Sequence, residues 1–323
     1  MKPSGHVEIG IFTVCGDCAE SGILYKELSN KAAGGAETKE RRFCIMADYH
    51  ERNKIKKQLI IFLLMAYGVT YLMGILLWYG SAIAVEISVF PGAQMFYPAA
   101  GVMLAYLLTK WEDSLLPRWF YLCFLLITLL MMLFSILSVA MPSRITNADG
   151  MEMSLWTVFS RYAAAGGSIL CWITLLTAFF INFIAFFGEE YGWRYYLQPI
   201  LQKRFGMRGG VLILGAVWGV YHIFLDFFYY MPRGLAAVAM QIIACVFVSI
   251  FFAWAYMKTG NIWVPVILHF LNNHLSWVMA GRYSQSVLEN RQAVWAMVPE
   301  TLIVNGAVFG FFLLSKEFRK RNC

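Results

Sequence analysis

The chain is poor in charged residues: they make up 14% of its 323 residues, against about 25% in a typical soluble domain. Hydrophobic residues make up 60%, and the mean hydropathy is +0.61. These values exclude an ordinary soluble domain and indicate a polytopic protein whose partner is the lipid bilayer. The net charge of +7 does not indicate nucleic-acid binding, because basic loops serve to orient membrane proteins.

Several motifs of known chemistry are also absent. The chain has no H-E-x-x-H zinc helix, no G-x-S-x-G nucleophile elbow and no G-x-x-x-x-G-K-S/T phosphate loop. Its seven cysteines imply no disulfide framework, and the isolated C-x-x-C of Cys15 and Cys18 is a weak zinc or redox signal. No internal repeat is visible, which disfavours a transporter built from repeats.

The first 50 residues differ from the rest in being mixed and polar. They contain no signal-peptide pattern, and Met46 opens a short basic lead into the first apolar run. We therefore expect residues 1–50 to be a disordered or non-native extension, with the natural start at Met46, and residues 51–323 to form the membrane domain.

Eight apolar runs are long enough to span a bilayer, which requires roughly 17–25 residues each. They predict an all-α bundle of about eight transmembrane helices. The segment 190–205 is too polar to span, and we expect an amphipathic helix at the interface, broken by Pro199. The runs lie at about 59–80, 87–109, 117–140, 165–187, 209–230, 235–257, 262–280 and 296–315.

The distribution of basic residues orients this bundle. With the first loop on the cytoplasmic side, fourteen basic residues lie inside and five outside, the five being Arg144, Arg161, Arg233, Arg282 and Arg291. Both termini are therefore expected to be cytoplasmic.

Ionisable side chains in or beside apolar runs are candidate functional groups, because a charge at bilayer depth costs at least about 2.5 kcal/mol. Glu189, Glu190 and Arg194 directly follow the fourth run. Glu190 and Arg194 are four residues apart and can pair on one helix face. Glu189 then faces the bundle interior, where it is suited to act as a general base on water. A salt-bridged helix end without chemistry is the alternative.

Two histidines lie inside later runs. His222 is either a functional residue or a satisfied core residue, and Asp226 one turn on either orients its imidazole or is solvated at the helix end. His269 and Asn273 are four residues apart on one face and can donate two hydrogen bonds to an oxyanion. Their alternative role is hydrogen bonding between helices, worth about 0.6 kcal/mol.

These residues form three motifs in chain order: E-E-x-x-x-R at residues 189–194, an aromatic-x-x-x-H from Trp218 to His222, and H-x-x-x-N from His269 to Asn273. Together they resemble the CPBP family of CAAX proteases and bacteriocin-processing proteins, also called the Abi family. The resemblance covers about residues 90–280. The second motif usually begins with Phe, and we expect Trp218 to preserve an aromatic wall while changing pocket shape rather than chemistry.

The resemblance implies an all-helical intramembrane protease with a water-filled cavity open to the cytoplasm. Glu189 would activate a water with help from His222, His269 and Asn273 would stabilise the oxyanion, and Glu190 and Arg194 would support the site. Zinc bound by Glu189, His222 and His269 and a metal-free glutamate mechanism are both open.

The same resemblance implies a peptide or protein substrate that is lipidated or membrane-associated, and a location in the bacterial plasma membrane. Two other functions are compatible with these residues. One is a non-catalytic immunity or binding protein with the same fold, and the other is a proton-coupled transporter that uses the residues as a relay.

Overall fold

The structure, a computed structural model, describes residues 52–85, 87, 89–110, 115–146, 150, 152–154, 169–230, 234–279 and 294–319. The predicted N-terminal extension and its C-x-x-C lie outside these residues. The described chain is mostly helical, which confirms the predicted all-α class.

The helices follow the apolar runs closely, and four of them contain or continue into wider or tighter turns. α1 contains a π-helical stretch at Leu64–Val69, and a π-helical turn at Tyr191–Leu197 joins α5 to α6. α7 continues as a π-helical turn at Asp226–Tyr230, and α10 continues as a 3₁₀ helix at Gly310–Leu314. The α-helical segments are α1 (Arg52–Ala82), α2 (Val89–Gln94), α3 (Tyr97–Leu108), α4 (Arg118–Ala140), α5 (Ile169–Glu190), α6 (Gln198–Tyr221), α7 (Ile223–Leu225), α8 (Leu235–Thr259), α9 (Trp263–Met279) and α10 (Met297–Phe309).

Four helical segments within the described residues are long and apolar enough to cross a membrane: α1, α4, α8 and Met297–Leu314. The pair Phe180–Tyr221 and Ile223–Tyr229, bent by 44°, adds a fifth if it forms one broken span. All eight predicted runs contain helix, but the second is divided between α2 and α3, and α9 has 17 residues. The count of about eight spans therefore stays a prediction.

The segment 190–205 is helical as predicted, but the predictions that it lies at the surface throughout and breaks at Pro199 are wrong. α5 continues through the π-helical turn into α6, and Trp193 and Arg194 within that turn are completely buried. Pro199 lies in the first turn of α6, where a missing N–H is tolerated. The helix is interrupted instead at Gly206, whose φ of 78° is outside the helical range. The charged side chains of Glu190 and Arg194 can be buried inside the bundle because they pair with each other.

A short antiparallel hairpin, which the sequence did not predict, lies between α4 and α5. Its strands are β1 (Pro142–Thr146) and β2 (Glu152–Ser154). The backbone N–H of Glu152 also donates to the carbonyl of Ala84, just after α1, at 3.1 Å. The hairpin therefore lies at the end of the bundle where α1 and α4 both terminate.

The core lies where α1, α3, α5, α6 and α8 meet. Trp193 is fully buried there and packs edge-to-face on Phe62 and Tyr221, with ring centroids 5.7 Å and 5.1 Å away. α10, by contrast, has no buried residue and packs on the outside of α8. The polar residues discussed below are thus enclosed by the inner helices.

Two glycines one turn apart bring α6 against α8. A Cβ on Gly219 would lie 2.5 Å from the Cα of Ile242, and one on Gly215 would collide with the backbone of Val246. Small residues at this spacing allow the backbones of membrane helices to approach closely. The approach places Trp218 of α6 beside Phe252 of α8, with 6.3 Å between ring centroids.

Candidate active site

Glu189 and Glu190, the last two residues of α5, are both buried, with exposures of 2% and 0%. Because successive residues in an α-helix point about 100° apart, the two carboxylates face different neighbours. Glu189 meets residues of α6, whereas Glu190 meets Arg194 and α9. The prediction that Glu189 faces the interior is confirmed, but Glu190 is equally enclosed.

Glu189 lies between an indole and an imidazole. Its Oε2 accepts a hydrogen bond from Nε1 of Trp218 at 2.7 Å. Its Oε1 is 3.9 Å from Nε2 of His222, too far for a direct hydrogen bond. A separation of this size suits two atoms that share one water molecule.

The orientation of His222 is set by the main chain of α6, the helix that ends just before it. Its Nδ1 lies 2.9 Å from the carbonyl oxygen of Trp218. A carbonyl only accepts, so Nδ1 carries the hydrogen, and Nε2 of the neutral ring presents a lone pair toward Glu189. His222 is thus arranged as a hydrogen-bond acceptor beside the carboxylate.

Glu190 is held by two partners. His269 Nδ1 is 2.8 Å from its Oε1, and Arg194 Nε is 3.1 Å from its Oε2. The predicted pairing of Glu190 with Arg194 is therefore confirmed. That contact is electrostatic in character, because the N–H is not aimed along it. The contact with His269 was not predicted, since the two residues are 79 positions apart.

The guanidinium of Arg194 is completely buried and has further neighbours on α6 and α8. Its Nη2 donates to Oγ of Ser249 at 3.4 Å. Its Cζ lies 4.4 Å from the ring centroid of Trp218 and 5.2 Å from that of Phe252, as in a cation–π contact. Ser249 was missed in the sequence, although a hydroxyl within an apolar run was a usable signal.

Trp218 joins the two halves of this cluster. The rings of His222 and His269 both lie against it, with centroids 5.9 Å and 5.2 Å away. The same indole binds Glu189 through its N–H and Arg194 through its face. The expectation that Trp218 changes only the pocket shape is therefore incomplete, because the N–H is a donor that Phe lacks.

Asn273 lies one turn beyond His269 on α9 and is partly exposed. Its Oδ1 accepts a hydrogen bond from Nδ2 of the exposed Asn272 at 3.2 Å. Since residues four apart share a helix face, Asn273 is on the side of α9 that bears His269. This is the arrangement that the H-x-x-x-N motif predicts.

Asp226 takes neither of the two roles considered in the sequence. Its side chain is 3% exposed and is therefore not solvated. Its backbone N–H donates to the carbonyl of His222 at 2.9 Å, but the carbonyl of Trp218 orients the imidazole. A main-chain carbonyl four residues earlier therefore takes the orienting role that the sequence considered for Asp226.

α6 ends at Tyr221, and side chains satisfy several carbonyls that the break exposes. The hydroxyls of Tyr67 and Tyr71 on α1 donate to the carbonyls of Val217 and Val220. Nε2 of Gln94 donates to the carbonyl of Tyr221 at 2.9 Å. His222 therefore lies at an irregular position whose backbone groups are paired within the protein, as hydrocarbon surroundings require.

Zinc does not fit this arrangement. Among the described residues, no three His, Cys, Asp or Glu side chains converge as a metal site. Glu189 and His222 approach each other at 3.9 Å, whereas His269 directs its Nδ1 to the other carboxylate, Glu190. The chemistry proposed below contains no step through a metal.

A helical membrane protein that buries two carboxylates, two imidazoles and a guanidinium in one cluster has the groups required of an intramembrane hydrolase. Residues 171–275 match the family described as type II CAAX prenyl endopeptidase, Rce1-like. The matched segment contains all three motifs, and it confirms the resemblance to CAAX proteases inferred from them. The match covers less than half of the chain and supports a CAAX-type intramembrane protease as the class. No match was found among curated proteins or solved structures.

Proposed function

We propose that this protein is an intramembrane endopeptidase in which Glu189 activates a water molecule for attack on a peptide bond. The observation that carries the proposal is the approach of Glu189 to His222 at 3.9 Å, with His269 against the same indole. A carboxylate and an imidazole lone pair facing one position can together orient and deprotonate water.

In the first step, Oε1 of Glu189 takes a proton from the water while the water oxygen bonds to the carbonyl carbon of the peptide bond. Nε2 of His222 accepts the second hydrogen of that water and orients it. The carbonyl oxygen becomes an oxyanion in the tetrahedral intermediate. In the second step the C–N bond breaks, and the proton on Glu189 passes to the leaving nitrogen, which restores the carboxylate.

His269 and Asn273 would stabilise the oxyanion. A His269 ring with both nitrogens protonated donates to Glu190 through Nδ1 and to the oxyanion through Nε2. The side-chain amide of Asn273, one turn along α9, supplies a second donor. Donors of this kind contribute about 3–4 kcal/mol each to barrier lowering. Glu190 and Arg194 support the site by fixing His269.

The family match makes a peptide that ends in a prenylated CAAX sequence the first substrate to test. An apolar bundle also suits a lipidated substrate, because the lipid partitions into the bilayer beside the protein. We extend the proposal to the arrangement in the membrane: about eight spans, both termini cytoplasmic, in a bacterial plasma membrane.

The test is cleavage of an internally quenched peptide ending in a farnesylated CAAX sequence, with its unprenylated counterpart, by the purified full-length protein in detergent. Glu189→Ala, His222→Ala and His269→Ala are each expected to lower kcat by about 100-fold or more. Glu300→Gln, which changes an exposed carboxylate on α10, should retain wild-type turnover. Absence of cleavage by the wild type, or unchanged turnover in all three site variants, would overturn the proposal.

A further inference from the structure

We propose that Trp218 is a positioning residue that holds one oxygen of Glu189 and so assigns the reacting water and its proton to the other. This inference rests on the proposed function of the site. It concerns the position at which the chain departs from the Phe of the related motif.

The contact is short and enclosed. Nε1 of Trp218 is 2.7 Å from Oε2 of Glu189, and the two side chains are 4% and 2% exposed. An indole N–H can only donate, so Oε2 must present a lone pair to it. A buried hydrogen bond to a charged acceptor is among the stronger ones in proteins.

The bond distinguishes the two carboxylate oxygens. With Oε2 held by the indole, Oε1 is the oxygen that faces Nε2 of His222. A proton taken from water therefore binds Oε1, and that same oxygen delivers it to the leaving nitrogen. Without the indole N–H, the carboxyl group is free to rotate and to place the proton on either oxygen.

Residue 218 also positions the second partner of the water. Its main-chain carbonyl accepts the hydrogen on Nδ1 of His222 at 2.9 Å. The side chain of one residue thus orients Glu189 while its backbone orients His222. The guanidinium of Arg194, 4.4 Å from the ring centroid, fixes the plane of the indole from the opposite half of the site.

Trp218→Phe removes the N–H while leaving an aromatic face for Arg194. In the peptide cleavage assay we expect kcat to fall by about 10- to 100-fold, with KM changing by less than about threefold, since the lost bond does not contact substrate. Replacement of Trp218 by 3-benzothienylalanine, which has sulfur in place of the N–H, should produce the same loss at nearly constant volume.

Trp193→Phe is the matched control. The indole N–H of Trp193 is also buried but has no hydrogen-bond acceptor within the described residues, so kcat should stay near the wild-type value. If the wild type cleaves the peptide and Trp218→Phe has the same kcat, the role of Trp218 is overturned while the proposed function stands. A wild type that cleaves neither peptide would overturn the proposed function together with this inference.

The bond itself can be observed without turnover. In ¹⁵N-labelled protein, the indole cross-peak lost in Trp218→Phe identifies Trp218. We expect this peak to move upfield in Glu189→Ala, because the N–H loses its charged acceptor. The peak of Trp254, which lies on α8 with its ring against Phe312, should stay in place. A Trp218 peak that is unaffected by Glu189→Ala would overturn the contact and with it the proposal.

Discussion

Glu190 and Arg194 are both completely buried, so water does not solvate their charges, and each charge is stabilised by the other. Charges removed from water incur a large desolvation cost that a nearby opposite charge only offsets. Removing Glu190 leaves the buried guanidinium without its carboxylate, and removing Arg194 leaves Glu190 with His269 alone. Removing both members of the pair also removes the cost of burying these two charges. Stability should therefore respond very differently to single and double substitution of this pair.

We expect Glu190→Gln and Arg194→Met each to destabilise the detergent-solubilised protein by about 3–5 kcal/mol. The double variant should lose clearly less than the sum, because it leaves neither the carboxylate of Glu190 nor the guanidinium of Arg194 buried without the other. The apparent Tm followed by intrinsic fluorescence measures all three variants under the same conditions. Additive losses in Tm would contradict the pairing.

For single residues, the sequence predicted contacts between side chains that are close together along the chain. The pairing of Glu190 with Arg194 follows from their spacing on a helix, and the structure confirms it. The bond from His269 to Glu190 was not predictable in the same way, because it depends on how α9 packs against α5. The chemistry of an indole shows that Trp218 can donate a hydrogen bond. Its acceptor, Glu189, could not be predicted, because it lies 29 positions earlier in the chain.

The helix break before His222 is a feature of elements rather than of single residues. The apolar pattern predicts a continuous helix over 209–230, but α6 ends at Tyr221 and a short α7 and a π-helical turn follow. The partners of the exposed carbonyls come from α1 and α2, including Gln94, which is 127 positions before Tyr221. Hydropathy records which segments are apolar and carries no information about such distant donors.

Gln94→Leu tests whether this pairing supports the site. It removes the donor to the Tyr221 carbonyl, and an unpaired buried carbonyl costs about 1–3 kcal/mol. We expect a lower Tm and, because the next residue is His222, a lower kcat on the peptide probe.

Gln58→Leu is the control at a second buried glutamine, which donates to Oγ1 of Thr109 at 2.9 Å between α1 and the end of α3. It should lower the Tm to a similar extent while leaving kcat close to the wild-type value. Equal kcat values for the two variants would show that the bond to Tyr221 serves stability alone.

For the whole molecule, hydropathy predicted where helices occur better than how they cross the membrane. The third and sixth runs match α4 and α8 to within two residues at each end. The second run is divided at Met95 and Phe96, and the fourth continues into the next helix through a turn that the sequence placed at the surface. The division of the second run comes directly before Pro98, which lies in the first turn of α3. The fourth run continues because Glu190 and Arg194 find partners inside the bundle, which a count of apolar residues does not register.

Topology is therefore best tested where the prediction of eight spans depends on a short helix. If α9 and Met297–Leu314 both cross the membrane as predicted, residue 285 lies outside and the C-terminus is cytoplasmic. Alkaline phosphatase fused after residue 285 should then be active, and the same enzyme fused after Cys323 inactive, while fluorescent-protein fusions should show the reverse. High phosphatase activity only at Cys323 would mean that α9 does not cross, and high activity at both sites would mean that Met297–Leu314 does not cross. Either result overturns the cytoplasmic C-terminus together with the count of eight, and low activity at both sites overturns the count alone.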